Sequence, residues 1–187
     1  LTLAEHIDHK RNSSAVSDSI HLVRKVVAFI TSKQSLRTGG SIAQAAAYHG
    51  GTSETFNGNS LMDEHGKTRE PLPDITRCLE EMGYPMIFAR LHHHKDLLDM
   101  AAGAQRAHVV NALTNQSHPL QALADHLAFK ERRPGLENPR IVFSGDGNNV
   151  ARSLGEATVM LGGHFVHTGP KERKIPDERW RIIEDQA

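Results

Sequence analysis

Three short segments carry residue types that could act together on a small charged molecule. Ser35-Leu36-Arg37-Thr38-Gly39-Gly40-Ser41 combines hydroxyls, a guanidinium and two glycines. It lies between the apolar run Lys25 to Thr31 and the Ala-rich stretch Ser41 to His49, hence at a helix N-terminus. Free backbone N–H groups and the positive end of the helix dipole favour an anion there. Arg37 adds a planar donor fork and Ser35 and Thr38 add hydroxyls, so a phosphate would suit the segment; the same residue types also serve as plain helix caps.

The second segment is His118-Pro119-Leu120-Gln121. Pro119 suits the first position of a helix, where its missing N–H costs little. His118 then stands just before the helix and Gln121 in its first turn. Both can face the C-terminal edge of a sheet, where ligands of open α/β sheets bind, although an ordinary helix start uses the same tetrapeptide. The third segment, Ser144-Gly145-Asp146-Gly147-Asn148-Asn149, joins an apolar run to another helical stretch. A dinucleotide fingerprint has this outline, but the third glycine is missing, Ala151 lies beyond, and no acidic residue ends the next run, HFVHTGP. A dinucleotide cofactor is therefore disfavoured.

The elements that must carry these segments are legible as alternating runs. Lys25 to Thr31, Pro85 to Ala89, His108 to Val110, Arg140 to Ser144 and His164 to His167 read as strands. Their apolar residues are consecutive, the habit of strands covered on both faces. Ser41 to His49, Asp74 to Met82, Lys95 to Ala102, Pro119 to Lys130 and Asn149 to Leu161 read as helices. This predicts an α/β fold with a parallel sheet flanked by helices. Gly50 to Pro73, rich in Gly, Asn, Ser and Thr, reads as a long loop. Glu131 to Pro139 holds Pro134, Gly135 and Pro139, so a boundary is expected there, between a first domain over 1–132 and a second over 138–187. The second has two strands, too few to bury a core alone, and reads as the beginning of a Rossmann-like α/β domain. Asp177 to Ala187 looks helical.

The 187 residues carry 22 basic and 22 acidic side chains. No basic surplus exists for nucleic-acid phosphates or an anionic membrane surface, and no apolar run approaches the roughly 20 residues that span a bilayer. Cys78 is the only cysteine, which rules out an internal disulfide and a CxxC pair, and LTLAEHIDHKRNSS has no apolar core of a signal peptide. A cytoplasmic setting is expected. His92-His93-His94 are consecutive and do not converge on one ion, so no metal is expected. Trp180 is expected to pack against the sheet or a partner, and Glu178, Arg179 and Arg181 to form a solvated face.

Taken in order, the three segments resemble the aspartate/ornithine carbamoyltransferase family, more closely its ornithine branch. The family's Ser-Thr-Arg-Thr-Arg signature is matched by Ser35-Leu36-Arg37-Thr38-Gly39. Its HPxQ signature is matched in full by His118, Pro119 and Gln121, within a longer likeness from Asn111-Ala112-Leu113-Thr114 to Leu123-Ala124-Asp125. GDGNNV with Ser153-Leu154 resembles the start of the ornithine domain. The likeness covers roughly residues 20 to 170.

That resemblance implies a transferase needing no metal or organic cofactor. Carbamoyl phosphate would bind the first domain, and the δ-amino group of ornithine would attack its carbonyl carbon to give citrulline and phosphate, a step of arginine biosynthesis. Ser35, Leu36 through its backbone, Arg37 and Thr38 would cradle the phosphate. Arg90 would join them and reach the carbonyl oxygen with His118, Gln121 would orient the carbamoyl NH₂, and Asn149 would contact ornithine. A homotrimer with sites at subunit interfaces is implied, in which a Gln or Lys from the neighbouring subunit's 50–73 loop completes the phosphate site. Here that loop contains no Gln, and Lys67 is the candidate. Gly39 replaces the signature's final Arg and Leu36 its Thr. The family's Asp…Ser-Met-Gly and His-Cys-Leu-Pro segments do not occur before Ala187, and Cys78 lacks the latter context. Weak or no turnover by this chain alone is therefore expected. Other acceptors (aspartate, an acylated ornithine, putrescine) and a noncatalytic phosphate-binding or assembly module are the alternatives.

Overall fold

β1 (Val26–Thr31) is the most buried strand: every residue from Val27 to Thr31 is shielded from solvent. It has a parallel neighbour on each edge, β2 (Thr52–Asn57) and β3 (Met86–Arg90), and β4 (His108–Leu113) completes a sheet of order β2-β1-β3-β4. The registers are Val26 opposite Thr52, Ala28 opposite Ile87 and Met86 opposite His108. The expected parallel sheet is thus present. The structure is a computed structural model that describes residues 21–33, 35–58, 68–135, 137–176 and 178.

Strand alternation sends the β1 side chains to two faces. Ala28 and Ile30, with Ile87 and Ala89 of β3, meet Ile75 and Leu79 of α2 (Leu72–Glu81) and Leu97 and Met100 of α3 (His94–Gly103). On the other face, Phe29 packs close to Gly39 of α1 (Leu36–Tyr48), where a Cβ would lie 3.4 Å from its ring. Helix on both faces is what excludes water from β1. A buried carboxylate closes the turn between α3 and β4: Glu80 accepts the backbone N–H groups of Gln105 (2.9 Å), Ala107 (3.0 Å) and Arg106. Those bonds hold it below the usual carboxylate range, against the opposing effect of desolvation.

Two expectations are corrected here. Residues 52–57, read as part of a loop, form edge strand β2. TSETFN is polar because an edge strand has one neighbour, and four of its six residues are exposed. Helix α1 begins at Leu36 instead of Ser41. Gly39 and Gly40 each cost a helix about 1 kcal/mol relative to Ala, yet both are helical, with Gly39 packed against Phe29.

The remaining elements are α4 (Pro119–Arg132), β5 (Arg140–Ser144), α5 (Asn149–Met160), β6 (His164–Thr168) and a 3-10 turn at Lys171–Arg173. β5 and β6 pair in parallel, Arg140 opposite His164, and their core joins Ile141, Phe143 and Phe165 to Ala151, Leu154 and Ile175. Val142 and Val166 on these strands remain exposed. Contacts group α4 with the later elements, in a unit that begins at Asn115. The physical reason is that α4 packs on α5, burying Ala122 and His126. Residues 179–187, including Arg179, Trp180 and Arg181, and Lys67 in the 50–73 loop, lie outside the described residues. Among the described residues, no helix is long and apolar enough to cross a membrane.

Candidate functional site

One candidate cluster grows from the end of β1. Ser35 is the N-cap of α1: its backbone is extended (φ −140°, ψ 98°) and its Oγ accepts the Thr38 N–H at 3.4 Å. The first turn of α1 holds no acidic residue, so nothing there offsets the positive end of the dipole. Leu36 points its side chain into solvent, 92% exposed, and offers the site only its backbone N–H. Arg37, beside it on the same turn, is exposed as well.

Thr38 is buried, and its Oγ1 accepts a hydrogen bond of 3.1 Å from Nη1 of Arg90. Arg90 ends β3 at an irregularity: Ala89 is opposite Asn111, but Arg90 is opposite Leu113, so β4 supplies one extra residue. Such a bulge re-aims the side chains beside it. The Ser32 N–H bonds the Arg90 carbonyl at 3.0 Å, which ties the chain leaving β1 to the same residue. The structure therefore brings Ser35, Thr38 and Arg90 together with Leu36 and Arg37 on one helix turn. Hydroxyls, guanidinium groups and a helix N-terminus are groups whose chemistry favours an anion.

A separate cluster lies at the start of α4 and α5. His118 occupies the cap position of α4 without using its side chain as a cap, Pro119 follows at N1, and the His118 carbonyl accepts the Gln121 N–H at 3.1 Å. The His118 N–H donates to Ser153 Oγ of α5 at 2.8 Å, and Arg152 Nη1 donates to the Gln116 carbonyl at 3.4 Å. Gln121 Nε2 donates to Asp125 Oδ1 at 2.9 Å, one turn along the helix. Asp125 thereby fixes the amide so that its oxygen, an acceptor, faces away from the carboxylate.

At the start of α5, Asn148 does the capping, its Oδ1 accepting the N–H groups of Val150 (3.0 Å) and Ala151 (3.1 Å). Asn149 is the first helical residue. Gly147 is required by close approach: a Cβ there would lie 2.2 Å from the Ile175 nitrogen, and its N–H donates to the Arg173 carbonyl at 2.7 Å. Ser153 and Asp125 are the residues whose positioning contacts the motifs alone did not reveal. The signal for Ser153 was available: a polar residue four positions after Asn149, on one helix face, in a stretch otherwise buried. In the His92-His93-His94 run the His92 and His93 rings meet edge to face, centroids 4.7 Å apart, and His94 Nδ1 lies 3.0 Å from Thr114 Oγ1. Among the described residues no three His, Cys, Asp or Glu side chains gather as a metal site.

Comparison with known proteins is consistent across sequence and structure. Residues 1–131 match the family model described as aspartate/ornithine carbamoyltransferase, carbamoyl-P binding domain. The chain is 41% identical over 149 residues to an ornithine carbamoyltransferase of Hyperthermus butylicus, covering 79% of this chain and 46% of that protein. It is 38% identical over 173 residues to that of Chlorobaculum tepidum, covering 92% and 49%. Among solved structures, the ornithine carbamoyltransferase of Thermus thermophilus superposes with a TM-score of 0.86 at 32% identity, covering 98% of this chain and 60% of that one. The chain spans about half the length of the curated relatives it matches.

Proposed function

We propose that this chain, which belongs to the aspartate/ornithine carbamoyltransferase family, binds carbamoyl phosphate and serves carbamoyl transfer to the δ-amino group of ornithine. The observation that carries the reading is the Thr38–Arg90 hydrogen bond beside the uncompensated N-terminus of α1. A phosphate dianion at that position meets N–H groups, hydroxyls and two guanidinium groups without any organic cofactor.

The roles follow from the chemistry of the groups. Ser35, Leu36 through its N–H, Arg37 and Thr38 hold the phosphate. Arg90 and His118 donate to the carbonyl oxygen, which polarises the carbon and stabilises the oxyanion formed as the amine adds. The Gln121 oxygen, oriented by Asp125, accepts from the carbamoyl NH₂. Asn149 contacts the amino-acid portion of ornithine. The amine nitrogen forms the new C–N bond, the C–O bond to phosphate breaks, and the amine loses a proton, giving citrulline and phosphate. Holding both reactants side by side is what lowers the entropic part of the barrier.

Several finer statements belong to the same reading. Residues 1–132 are the carbamoyl-phosphate domain, in keeping with a family model that ends at 131, and 138–187 begin the ornithine domain. The working enzyme is a cytoplasmic homotrimer of arginine biosynthesis, and this span alone turns over weakly or not at all. The test is product formation from carbamoyl phosphate with ornithine, aspartate, acetylornithine and putrescine in parallel. The reading predicts trace citrulline and no other product. A faster reaction with another amine would reassign the acceptor, and a chain that neither reacts nor binds carbamoyl phosphate would be an assembly module.

A further inference from the structure

His126 of α4 is 4% exposed, and its Nε2 lies 3.1 Å from Oγ1 of the buried Thr158 on α5. Thr158 Oγ1 is also 2.6 Å from the Leu154 carbonyl. A carbonyl only accepts, so the hydroxyl proton goes to Leu154 and the imidazole donates its Nε2–H to the hydroxyl oxygen. Nδ1 is left as an acceptor. It takes no hydrogen bond among the described residues, and it is not sealed inside the protein. Desolvation holds the ring below its ordinary pKa, so Nδ1 keeps its lone pair at neutral pH.

The ring opens on a cavity of about 250 Å³ bounded by the ends of α4 and α5 and the connection that enters β5. One side of this cavity is a fixed turn. Asn138 has a left-handed backbone (φ 50°), and Gly162 (φ 77°) passes so close that a Cβ there would stand 2.9 Å from Asn138 Oδ1. The Pro139 carbonyl accepts the His164 N–H at 2.8 Å and would lie 2.5 Å from a Cβ on Gly163. Glycine permits that approach, so the connection entering β5 is clamped to the turn leaving α5 and the cavity is preformed.

Three kinds of group face the space. Phe129 and Leu161, each 38% exposed, supply apolar surface. Lys130 supplies an ammonium and Glu137 a carboxylate. His126 supplies a lone pair that needs a donor. An anion alone would be repelled by Glu137 and a cation alone by Lys130, while a wholly apolar molecule would leave the imidazole acceptor desolvated and unsatisfied. A small zwitterion suits all of them. We propose that this cavity binds a free α-amino acid with an aliphatic side chain: its α-ammonium donates to Glu137 and to Nδ1 of His126, its carboxylate accepts from Lys130, and its side chain lies against Phe129 and Leu161.

The site is separate from the residue assigned to ornithine. Asn149 begins α5 and Leu161 follows its end, and a helix of 12 residues is about 18 Å long. Binding here does not depend on the carbamoyl-phosphate reading above.

Calorimetric titration of leucine into the 187-residue chain tests the proposal. Saturable binding is expected, with a Kd of about 1 mM or tighter. Isocaproate, which lacks the amine, and isoamylamine, which lacks the carboxylate, should each bind roughly tenfold or more weakly. Lys130→Met and Glu137→Gln, at exposed positions, should each weaken leucine binding to the same extent while melting like wild type without ligand. In ¹H–¹³C spectra leucine should move the signals of Phe129 and Leu161 and leave those of Val150, beside Asn149, in place. Shifts centred on Val150, equal binding of isocaproate, or no saturation at about ten times the expected Kd would overturn the proposal.

Discussion

Arg90, at the end of β3, and Thr38, in the first turn of α1, are joined by a 3.1 Å hydrogen bond across 52 residues of sequence. The bond places a guanidinium from one sheet strand at the N-terminus of a helix that follows another. Hydrogen bonds to a charged partner contribute about 1.5–3 kcal/mol, so Arg90→Ala should weaken phosphate-ligand binding by roughly ten- to a hundredfold. Arg90→Lys should recover only part of it, because an ammonium is a point charge and not a planar fork. Binding calorimetry of both variants checks this.

Ser153 is 5% exposed, and its hydroxyl takes the His118 N–H. Ser153→Ala leaves a largely buried donor without its acceptor, at a cost of about 1–3 kcal/mol. Urea denaturation should show that loss in the unit containing α4 and α5. Affinity for inorganic phosphate, held by residues of the other unit, should be unchanged.

The extent to which this was legible in the sequence follows from what each segment must bury. β1 and β3 were readable because consecutive apolar residues announce strands covered on both faces. β2 was not, because TSETFN is an edge strand whose polar side chains resemble a loop. Gly39-Gly40 reads locally as a turn, which sets the expected start of α1 at Ser41, whereas the helix runs through both and packs Gly39 on Phe29. Arg37, His118 and Gln121 are candidates because their motifs are contiguous in sequence. The Arg90–Thr38 bond, the Ser153 acceptor and the His126–Thr158 contact join residues 32 to 52 positions apart, and local pattern carries no record of such pairs.

Glu80 makes the stability of the fold depend on pH. Its folded pKa lies below the usual carboxylate range, so its contribution is present at and above that range and lost as pH falls through the folded pKa. Glu80→Gln should lower Tm at neutral pH, because the amide accepts fewer of the three N–H groups that close the α3–β4 turn. It should also flatten the fall in Tm seen for wild type at acid pH. Calorimetric melts across that range check both parts.

Gly147 should tolerate no side chain. The Cβ of Gly147→Ala would meet backbone atoms of residues 173–175, the nearest at 2.2 Å. Separating them opens the turn that delivers Asn149, so the variant should lose cooperative melting of the α5 and β5–β6 region, followed by amide exchange, while β1–β4 keep their protection.

The central claim is that a carbamoyl phosphate site is built on the first turn of α1. Titration of carbamoyl phosphate into wild type and Arg37→Ala by calorimetry tests it most directly. The account predicts saturable binding by wild type and a loss of roughly tenfold or more in the variant, as expected for removal of a charge-assisted contact. Equal affinity in the two proteins, or no binding by a folded wild-type chain, would contradict it.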